Sequence, residues 1–446
     1  MIHIVGGGMA GTECAHICAT NGLKVTLYEM RGPHETPAHK TTHFAELVCS
    51  NSFKSQDPAT PAGQLKAEMR ALGSLLIPTA ETHSVPGGSA LCVDRDNFAA
   101  AITAQIEQNH NITIRRELFT PQMAEEILAQ GEPLVLATGP LTSEALGQWL
   151  AEQTGQEHLY FYDAVSPTVD ASTLNRDIIF AQSRYDKGEG DDYLNCPFSK
   201  EEYDTFITAL VAAERVPLKD FEDPKYFEGC KPIEEIAAKG HDSLRFGNFK
   251  PVGLRDPRTE RRPWAALQLR PENRDKTLYS LVACQTRMKW GPQLEVLRMV
   301  PGLENAEFVR MGVIHRNTYI ESPKALHPWL EFRTRPNLFI AGQLTGVEGY
   351  VESAAMGIYV AHTLIRRSQG LEPSIPPRAS AYGSLIDHLS DAETDREFAP
   401  MNINWGLFPD PEPFIKNKGE RKLAKLTAAQ SAFENWQKHL TAIALK

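Results

Sequence analysis

A glycine-rich turn near the start of the chain is the feature that most constrains its fold. The motif Gly6-x-Gly8-x-x-Gly11 follows the short apolar run of residues 2–5 and precedes a helix-compatible segment, residues 12–21. Glycines let the backbone approach a pyrophosphate closely, and the first N–H groups of the helix face that anion. A strand, a glycine turn and a helix in this order predict a dinucleotide-binding unit.

The carboxylate that such a unit needs lies at the end of the next predicted strand. Residues 24–28 form a β-type run that ends at Glu29, eighteen residues after Gly11. At that place a carboxylate accepts hydrogen bonds from ribose hydroxyls. Met9 and Ala10 belong to the same turn and are part of the predicted cofactor site.

Two further junctions between a strand and a glycine lie far along the chain, after the apolar runs of residues 134–137 and 337–340. Parallel sheets bind ligands at strand ends, and an extended FAD would use all three junctions, with adenosine at the first and flavin near the last. A second GxGxxG motif for a nicotinamide domain is absent. The sequence therefore favours FAD over NAD, and the later residues predicted to bind it are Thr138, Gly139, Gly342, Gln343 and Glu348.

The order of these segments predicts an α/β fold with a discontinuous Rossmann-like FAD-binding domain, residues 1–187 and 302–370. Residues 188–301 differ in character, with acidic clusters beside a basic run and frequent glycine and proline turns, and are predicted to form an inserted α+β domain. Residues 371–446 open with a proline-rich stretch and end in a helical segment, which predicts a helical C-terminal tail.

Charge and cysteine content narrow the functional classes. The chain has 46 Lys and Arg residues against 56 Asp and Glu, a net charge of -10, which disfavours indiscriminate coating of nucleic acid. Its seven cysteines are an odd number, scattered without a disulfide or metal-binding pattern, which indicates reduced thiols in a cytoplasm and no metal site. We expect neither a signal peptide nor a membrane span.

Two of the thiols lie in polar turns. Cys49 is followed by Ser-Asn-Ser, and Cys230 lies between Gly229 and a Lys-Pro pair. A thiol beside a cation in a turn can be reactive, whereas Cys14 and Cys18, four residues apart on the first helix, are typical of packing. From the residues alone, catalysis and packing remain equal alternatives for Cys49 and Cys230.

Four segments together resemble a known family. Residues 6–13 (GGGMAGTE), 46–52 (ELVCSNS), 227–234 (FEGCKPIE) and 341–350 (AGQLTGVEGY) are similar to the signature segments of TrmFO. TrmFO proteins are folate- and FAD-dependent tRNA (uracil-5-)-methyltransferases related to GidA/MnmG flavoproteins. The resemblance extends from the first residue to the C-terminal tail. The third strand-glycine junction of the chain, residues 341–343, reads Ala-Gly-Gln, unlike the Ala-Gly-Asp of many reductases.

The resemblance implies an activity and assigns the two thiols. A TrmFO methylates C5 of uracil in tRNA, at uridine 54 of the T loop, with methylenetetrahydrofolate as one-carbon donor and NADPH or NADH to re-reduce FAD. Uracil C5 becomes nucleophilic only after a thiolate adds at C6. The resemblance implies that Cys230 is this nucleophile and that Cys49 is a second thiol near the flavin, although the two roles could be exchanged.

Folate has a flat pterin that needs a stacking surface and polar neighbours. The predicted folate site consists of His315, Tyr350 and Asn51. His315 could instead be a hydrogen-bonded core histidine at a strand end, and Tyr350 a packing residue at a helix start.

An acidic chain that binds tRNA must concentrate its positive charge. Two basic runs, residues 250–262 and 416–425, and a smaller group near Trp290 are candidates, although such runs are often solvated faces with ordinary ion pairs. No DNA is expected as a partner, and neither an rRNA target nor any oligomeric state is excluded. The predicted RNA-binding residues are Lys250, Arg255, Arg258, Arg261, Arg262, Arg287, Lys416, Lys418, Arg421 and Lys422.

Two other functions are compatible with the same residues. The chain could be an NAD(P)H-dependent flavin oxidoreductase that acts on a small molecule, with its cysteines as a redox pair or as packing. It could also be a noncatalytic, FAD-dependent RNA-binding factor. The location of Cys49 and Cys230 in turns favours catalysis over the latter.

Overall fold

The structure is a computed structural model of the 446-residue chain. It describes residues 1–36, 38–154, 159–164, 166–186, 191–217, 231–312, 314–391 and 398–441. Among these residues, no helix combines the length and the apolar character needed to cross a bilayer.

The strands of the described residues are numbered in chain order. They are β1 Ile2–Val5, β2 Val25–Glu29, β3 Ser52–Ser55, β4 Ser84–Val85, β5 Ala90–Val93, β6 Ile112–Arg116, β7 Leu134–Leu136, β8 Leu159–Ala164, β9 Thr168–Asp170, β10 Phe180–Ala181, β11 Leu194–Phe198, β12 Ala265–Pro271, β13 Leu278–Leu281, β14 Phe308–Arg310, β15 Ile314–Tyr319 and β16 Leu338–Ile340.

The α-helices are numbered in the same way. They are α1 Met9–Thr20, α2 Pro61–Ala71, α3 Leu76–Thr82, α4 Arg95–Glu107, α5 Pro121–Ala129, α6 Glu144–Thr154, α7 Lys200–Ala212, α8 Ile233–Ala238, α9 Ser243–Phe246, α10 Trp290–Leu297, α11 Ser322–Ala325, α12 Tyr350–Ser368, α13 Ala381–Ser390 and α14 Lys418–Thr441.

A five-stranded parallel sheet in the order β16-β7-β1-β2-β6 forms the centre of the first domain. Strands β1, β7 and β16 are apolar runs that are buried along their whole length, as expected for a parallel sheet covered on both faces. Helices α1 and α12 pack against each other beside it. The Rossmann-like prediction and the three predicted strand-glycine junctions are confirmed, because β1, β7 and β16 are neighbours in this sheet.

The inserted domain has a six-stranded antiparallel sheet in the order β10-β11-β12-β13-β9-β14 and a hydrophobic core of its own. The predicted boundaries, residues 188–301, are too narrow, because the sheet includes β9 and β10 before them and β14 after them. These strands have only two or three residues each, too few to show an alternating pattern in the sequence. The sheet therefore extends from Thr168 to Arg310.

Two smaller sheets complete the fold. Strands β8 and β15 pair with each other, and β3, β5 and β4 form an antiparallel sheet. Strand β3 begins directly after the segment that carries Cys49 and pairs with β5, which leads into helix α4. This small sheet thus fixes one end of the Cys49 segment.

The C-terminal tail is helical, as predicted, but it is not a separate unit. Tyr382 and Leu385 of α13 and Phe433 and Trp436 of α14 belong to the hydrophobic core of the first domain. The carboxylate of Glu68 in α2 accepts hydrogen bonds from the first N–H groups of α13. The described residues of the tail, 371–391 and 398–441, therefore form part of the first domain.

Candidate functional site

One cleft connects the three strand-glycine junctions. Residues 5–10 after β1, residues 137–143 after β7 and residues 342–343 after β16 all line it. Because β1, β7 and β16 are adjacent and parallel, their carboxyl ends meet at one edge of the sheet. Residues separated by more than 300 positions thus form one binding surface, which we call the glycine cradle.

The glycines of the first turn serve different purposes. Gly6 has φ of 103°, and a Cβ there would lie 2.5 Å from the Ala137 carbonyl oxygen. A Cβ at Gly11 would lie 1.8 Å from the carbonyl oxygen of Gly6. Both positions therefore require glycine for the turn itself to close. At Gly8, in contrast, no atom of the described residues lies within 4 Å of the added Cβ.

The residues at this turn fit the pyrophosphate of a dinucleotide. Gly8 is the N-cap of α1, and no described side chain caps this helix. The first N–H groups of α1 are therefore available to an anion, and Gly8 leaves room for its approach. Met9 and Ala10 line the cleft as predicted, whereas Gly11 lies behind Gly6 and does not line it.

Glu29 lies at the end of β2, in the cleft wall, but its carboxylate is already fully bonded. Oε1 accepts from the backbone N–H and from Nε of Arg31, and Oε2 accepts from the Gly7 N–H and from Nη2 of Arg31. Burial opposes the charge, but these Arg31 and Gly7 bonds hold the pKa of Glu29 below its usual value. A ribose hydroxyl can bond to Glu29 only if Arg31 releases an acceptor position.

Of the other predicted cofactor residues, four line the cleft and one does not. Thr138, Gly139, Gly342 and Gln343 line the cleft. Glu348 does not, because it is buried behind Gln343 and accepts a hydrogen bond from its Nε2 at 3.2 Å. The contact of Glu348 with the cofactor stays a prediction, and its observed partner at the cleft is Gln343.

Cys49 lies in a segment without regular structure, residues 47–51, which we call the thiol loop. Its backbone groups bond to side chains from distant elements. The carbonyl oxygen of Leu47 accepts from Nη1 of Arg95 at 2.9 Å, and that of Val48 accepts from Nη1 of Arg310 at 3.1 Å. The Cys49 carbonyl accepts from Nη2 of Arg95 at 3.4 Å. The loop is thus held by side chains in place of a helix or sheet ladder.

Tyr350 links the thiol loop to the cleft. Its hydroxyl accepts from the backbone N–H of Cys49 at 2.8 Å and from that of Ser50 at 3.4 Å. Tyr350 and Val48 both line the cleft, so the loop borders the cleft near Gly342 and Gln343. Burial, reinforced by the neighbouring Cys49, raises the pKa of the Tyr350 phenol. Tyr350 therefore remains a neutral phenol at physiological pH.

The inserted domain also contacts the thiol loop. The side-chain amide of Asn51 donates to the carbonyl oxygens of Val93 at 3.0 Å and Pro271 at 2.9 Å, and Asn51 is completely buried. One amide hydrogen thus bonds within the first domain, to Val93, and the other bonds to Pro271 of the inserted domain. The Oδ1 of Asn51 is buried without a partner among the described residues, and the contact of Asn51 with folate stays a prediction. Arg95 forms a buried ion pair with Glu272 beside this contact.

Two predicted site residues lie wholly or partly outside the described residues. Cys230 lies outside the described residues, which resume at Lys231 before helix α8. The backbone of His315 is in β15, opposite Asp163 of β8, but its side chain is outside the description. The assignments of Cys230 and His315 therefore stay predictions.

The predicted RNA-binding residues of the inserted domain differ in availability. Lys250, Arg261 and Arg262 are exposed. Arg255 and Arg258 are exposed too, but they form ion pairs with Glu260 and Asp256. Arg287 is mostly buried and is bonded to Glu235 and to the Val216 carbonyl oxygen. The prediction for Arg287 is corrected, because its guanidinium holds the domain together and is not free for phosphate.

The basic run of the tail surrounds the start of α14. Lys416, Lys418 and Lys422 are exposed, and Arg421 lies with its guanidinium 4.8 Å from the Phe414 ring centre. Lys425, at the end of the same run, is buried against the carbonyl oxygens of Trp405 and Phe408. The exposed part of the run is therefore residues 416–422.

Sequence reasoning missed the arginines that support the site. Arg31, Arg95, Arg270 and Arg310 are each isolated in the sequence, without a motif that marks them. Their function depends on contacts across the fold, such as that of Arg310 to Val48. Only the apolar surroundings of such residues could have suggested burial, and these do not reveal the partner.

Comparisons with known proteins give consistent results. A family model described as glucose inhibited division protein A matches residues 1–372. The methylenetetrahydrofolate–tRNA-(uracil-5-)-methyltransferase TrmFO of Moorella thermoacetica is 51% identical over 433 residues, 97% of each chain. The protein of the same name from Bacillus cytotoxicus is 47% identical over 436 residues, 98% of each chain.

Solved structures with the same fold include GidA of Aquifex aeolicus. Its form II crystal structure matches with a TM-score of 0.68 at 16% identity, covering 99% of this chain and 75% of that chain. The form I crystal structure matches with a TM-score of 0.66 at 18% identity, covering 99% and 78%. At this identity the likeness concerns the fold.

Proposed function

Because the chain belongs to the glucose inhibited division protein A family, and within it to the TrmFO group, we propose that it is an FAD-dependent methylenetetrahydrofolate–tRNA-(uracil-5-)-methyltransferase. The observation that carries the proposal is a single cleft that connects all three glycine junctions and is bordered by the thiol loop. A nicotinamide enzyme with a compact first domain has no need of the second and third junctions.

The FAD would be held by the glycine cradle. Its pyrophosphate would lie at Gly8 and the first turn of α1, and its flavin end near Gly342 and Gln343. Bound FAD supplies the redox chemistry, accepting electrons from NADPH or NADH and providing the reducing equivalent that converts a methylene group to a methyl group. The protein residues position the substrates and move protons.

The uracil ring requires a thiolate because its C5 is a weak nucleophile. Addition of the Cys230 sulfur to C6 would place negative charge on C5 and O4, and C5 would then form a bond to the one-carbon unit from folate. Removal of the C5 proton would break the bond between the one-carbon unit and its carrier nitrogen and leave a methylene group on C5. Addition of the reducing equivalent to this methylene carbon would form the methyl group, expel the Cys230 thiolate from C6 and restore the C5–C6 double bond. Cys49, near Tyr350 at the border of the cleft, would accept the C5 proton or protect the site; the two thiols could exchange roles.

Tyr350 and His315 would line the folate site, with the pterin against the aromatic surface at the flavin end of the cleft. Tyr350 lines the cleft, and its ring lies 6.1 Å from that of Phe53. Its hydroxyl is occupied by the thiol loop, so the ring face is the part left for stacking.

The tRNA would contact both basic surfaces. We place the phosphates on the exposed cations of the inserted domain and of the tail, and the target uridine must leave its stack to reach the cleft. The net charge of -10 allows such local docking and disfavours non-specific coating. The proposed contacts are Lys250, Arg255, Arg258, Arg261, Arg262, Lys416, Lys418, Arg421 and Lys422.

The cellular setting follows from the thiols. Each described cysteine is free, and Cys196 and Cys284 are completely buried in the inserted domain. Free thiols are typical of a reducing cytoplasm, where tRNA and folate are also found. We therefore propose a cytoplasmic enzyme.

Label transfer tests the proposal. Purified protein is incubated with methylenetetrahydrofolate labelled in its one-carbon unit, NADPH and an unmodified tRNA transcript, and nucleosides are analysed after digestion. We expect labelled 5-methyluridine, and none from a transcript with cytidine at the target position. NADPH oxidation without label in RNA would instead support a flavin oxidoreductase.

The thiols are tested in the same assay. Cys230→Ser and Cys49→Ser should each abolish label transfer while FAD absorbance remains, since neither residue belongs to the glycine cradle. Cys284→Ala, which changes a thiol in the core of the inserted domain, serves as the control and should retain transfer. Normal transfer by Cys230→Ser would refute its assignment as nucleophile.

A further inference from the structure

Three consecutive residues of the inserted domain, at the end of β12, contact the thiol loop or its anchors. Nη2 of Arg270 donates to Oγ of Ser50 at 3.2 Å. The carbonyl oxygen of Pro271 accepts from Asn51 at 2.9 Å. Glu272 forms the buried ion pair with Arg95. The residue next to Cys49 is therefore bonded to a different domain from the one in which Cys49 lies.

Arg270 bonds to the residue next to Cys49, whereas Pro271 and Glu272 bond to residues that anchor the loop. Pro271 and Glu272 bond to Asn51 and Arg95, which also hold the loop through bonds within the first domain. The hydroxyl of Ser50 accepts from Arg270 and from the Ser52 N–H at 3.1 Å. Among the described residues, Arg270 is thus the inserted-domain side chain that bonds to the Ser50 hydroxyl, whereas Arg310 of β14 bonds to the backbone carbonyl of Val48 on the other side of Cys49.

The electrostatic setting keeps Arg270 in place. Burial disfavours the charge of Glu272, but the guanidinium groups of Arg95 and Arg270 hold the pKa of its carboxyl below the usual value. Nε of Arg270 is buried and finds no acceptor among the described residues. The carboxylate of Glu272 thus attracts Arg270, while the bond to Ser50 fixes the direction of its guanidinium.

We propose that Arg270 is a positioning residue for Cys49, which sets the orientation of the thiol through Ser50 and makes it depend on the inserted domain. The turnover part of this inference rests on the proposed function. The structural part does not, because Arg270, Ser50 and Cys49 are connected whatever reaction the thiol serves. A small displacement of a reacting group lowers turnover without weakening substrate binding.

The test compares Arg270→Met and Ser50→Ala, which remove the two ends of one hydrogen bond. We expect each variant to lower kcat of label transfer by about 10-fold to 100-fold, with KM for folate and tRNA within about twofold of the wild type. The double variant should have about the same kcat as the less active of the two single variants, because both substitutions remove the same contact. Arg270→Lys, which retains a donor and a charge, should recover most of the activity.

Arg298→Met is the matched control, since it removes an arginine bond to the Ala306 carbonyl oxygen elsewhere in the inserted domain. Hydrogen exchange of the amides of residues 47–51 supplies a readout that needs no activity. We expect faster exchange in Arg270→Met and Ser50→Ala but not in Arg298→Met. Wild-type kcat and exchange in Ser50→Ala would overturn the proposal, as would single-variant losses that multiply in the double variant.

The two hypotheses fail in different ways. If the wild type transfers no label but the two variants still accelerate exchange in the thiol loop, the proposed function fails and the Arg270 contact stands. If the wild type transfers label and the variants match it in both measurements, the Arg270 inference fails and the proposed function stands.

Discussion

The glycine cradle and the thiol loop are the two halves of the site, and they are built in opposite ways. The cradle is made of backbone at strand ends, where Gly6 and Gly11 allow the chain to close on itself. The thiol loop is irregular backbone held by side chains such as Arg95, Arg310 and Tyr350. Substitutions in the cradle should therefore weaken FAD binding, whereas substitutions of the residues that anchor the loop should lower kcat.

The largest expected effect on function is complete loss of the cofactor, and it separates two glycines of the cradle. Gly11→Ala would force a Cβ to within 1.8 Å of the Gly6 carbonyl oxygen, so we expect destabilisation by about 1–3 kcal/mol or more and loss of FAD. Gly8→Ala meets no described atom and should fold normally. Loss of a phosphate contact should still weaken FAD binding by about 10-fold. Denaturation curves and flavin titration measure both, and equal stability of the two variants would contradict this explanation.

The next effect concerns the buried ion pair behind the thiol loop. Arg95→Met leaves the Glu272 carboxylate buried without its partner, which should lower the free energy of unfolding by about 3–5 kcal/mol. Arg95→Met with Glu272→Met should recover part of this loss. Arg115→Met, at an exposed pair with Glu117, is the control and should cost at most about 1 kcal/mol. If urea denaturation showed that Arg95→Met loses as little stability as Arg115→Met, the ion pair between Arg95 and Glu272 would not be needed to anchor the loop.

A smaller stability effect is expected at the phenol that joins cradle and loop. Tyr350→Phe leaves the N–H groups of Cys49 and Ser50 without their acceptor, which should cost about 1–3 kcal/mol and lower turnover while FAD stays bound. Tyr359→Phe removes a hydroxyl bond to the Pro328 carbonyl oxygen from the same helix. It should lower stability without lowering kcat. An equal fall in kcat in both variants would contradict the special place of Tyr350.

The smallest expected effect is a pH dependence of the melting temperature, which arises from the buried carboxyl groups of Glu13 and Glu68. Burial raises the pKa of Glu13 in α1 from 4.5 to about 7, although bonds from Ser74, Leu75 and Leu76 oppose the rise. A raised folded-state pKa stabilises the protein below pH 4.5, and this contribution is lost as the pH rises through 7. Glu68 behaves in the same way. The melting temperature should therefore fall between pH 5 and pH 8, by about 2 °C or more.

Glu13→Gln provides the control for that pH dependence, because it removes one of the two titrating groups. Its melting temperature should change less over the same range than that of the wild type. A wild-type melting temperature that rises with pH in this interval would mean that the backbone N–H groups of Leu75 and Leu76 keep Glu13 ionised.

The cradle could be predicted from the sequence because each part is local. Gly6 to Gly11, Glu29 and the later junctions stand beside short apolar runs, and adjacency of parallel strands brings them together. The sequence could not show that Arg31 occupies the carboxylate of Glu29, because a hydrogen-bond partner is a property of the folded chain.

The thiol loop was predictable only in part. Cys49 could be placed in a turn, but its anchors come from helix α4, strands β12 and β14 and helix α12. The bond from Asn51 to Pro271 of the inserted domain could not be predicted for the same reason, since burial and hydrogen-bond partners are properties of the folded chain. The short strands β9, β10 and β14 likewise moved the boundaries of the inserted domain.

The source of the methyl hydrogens is the most direct test of the central claim. With methylenetetrahydrofolate that carries two deuterium atoms on its one-carbon unit, and no other methyl donor, both deuterium atoms should appear in the 5-methyluridine of the tRNA. The third hydrogen should come from the FAD-mediated reduction, so its transfer should require NADPH or NADH. Unlabelled 5-methyluridine, or transfer that needs no reductant and no bound FAD, would contradict the account.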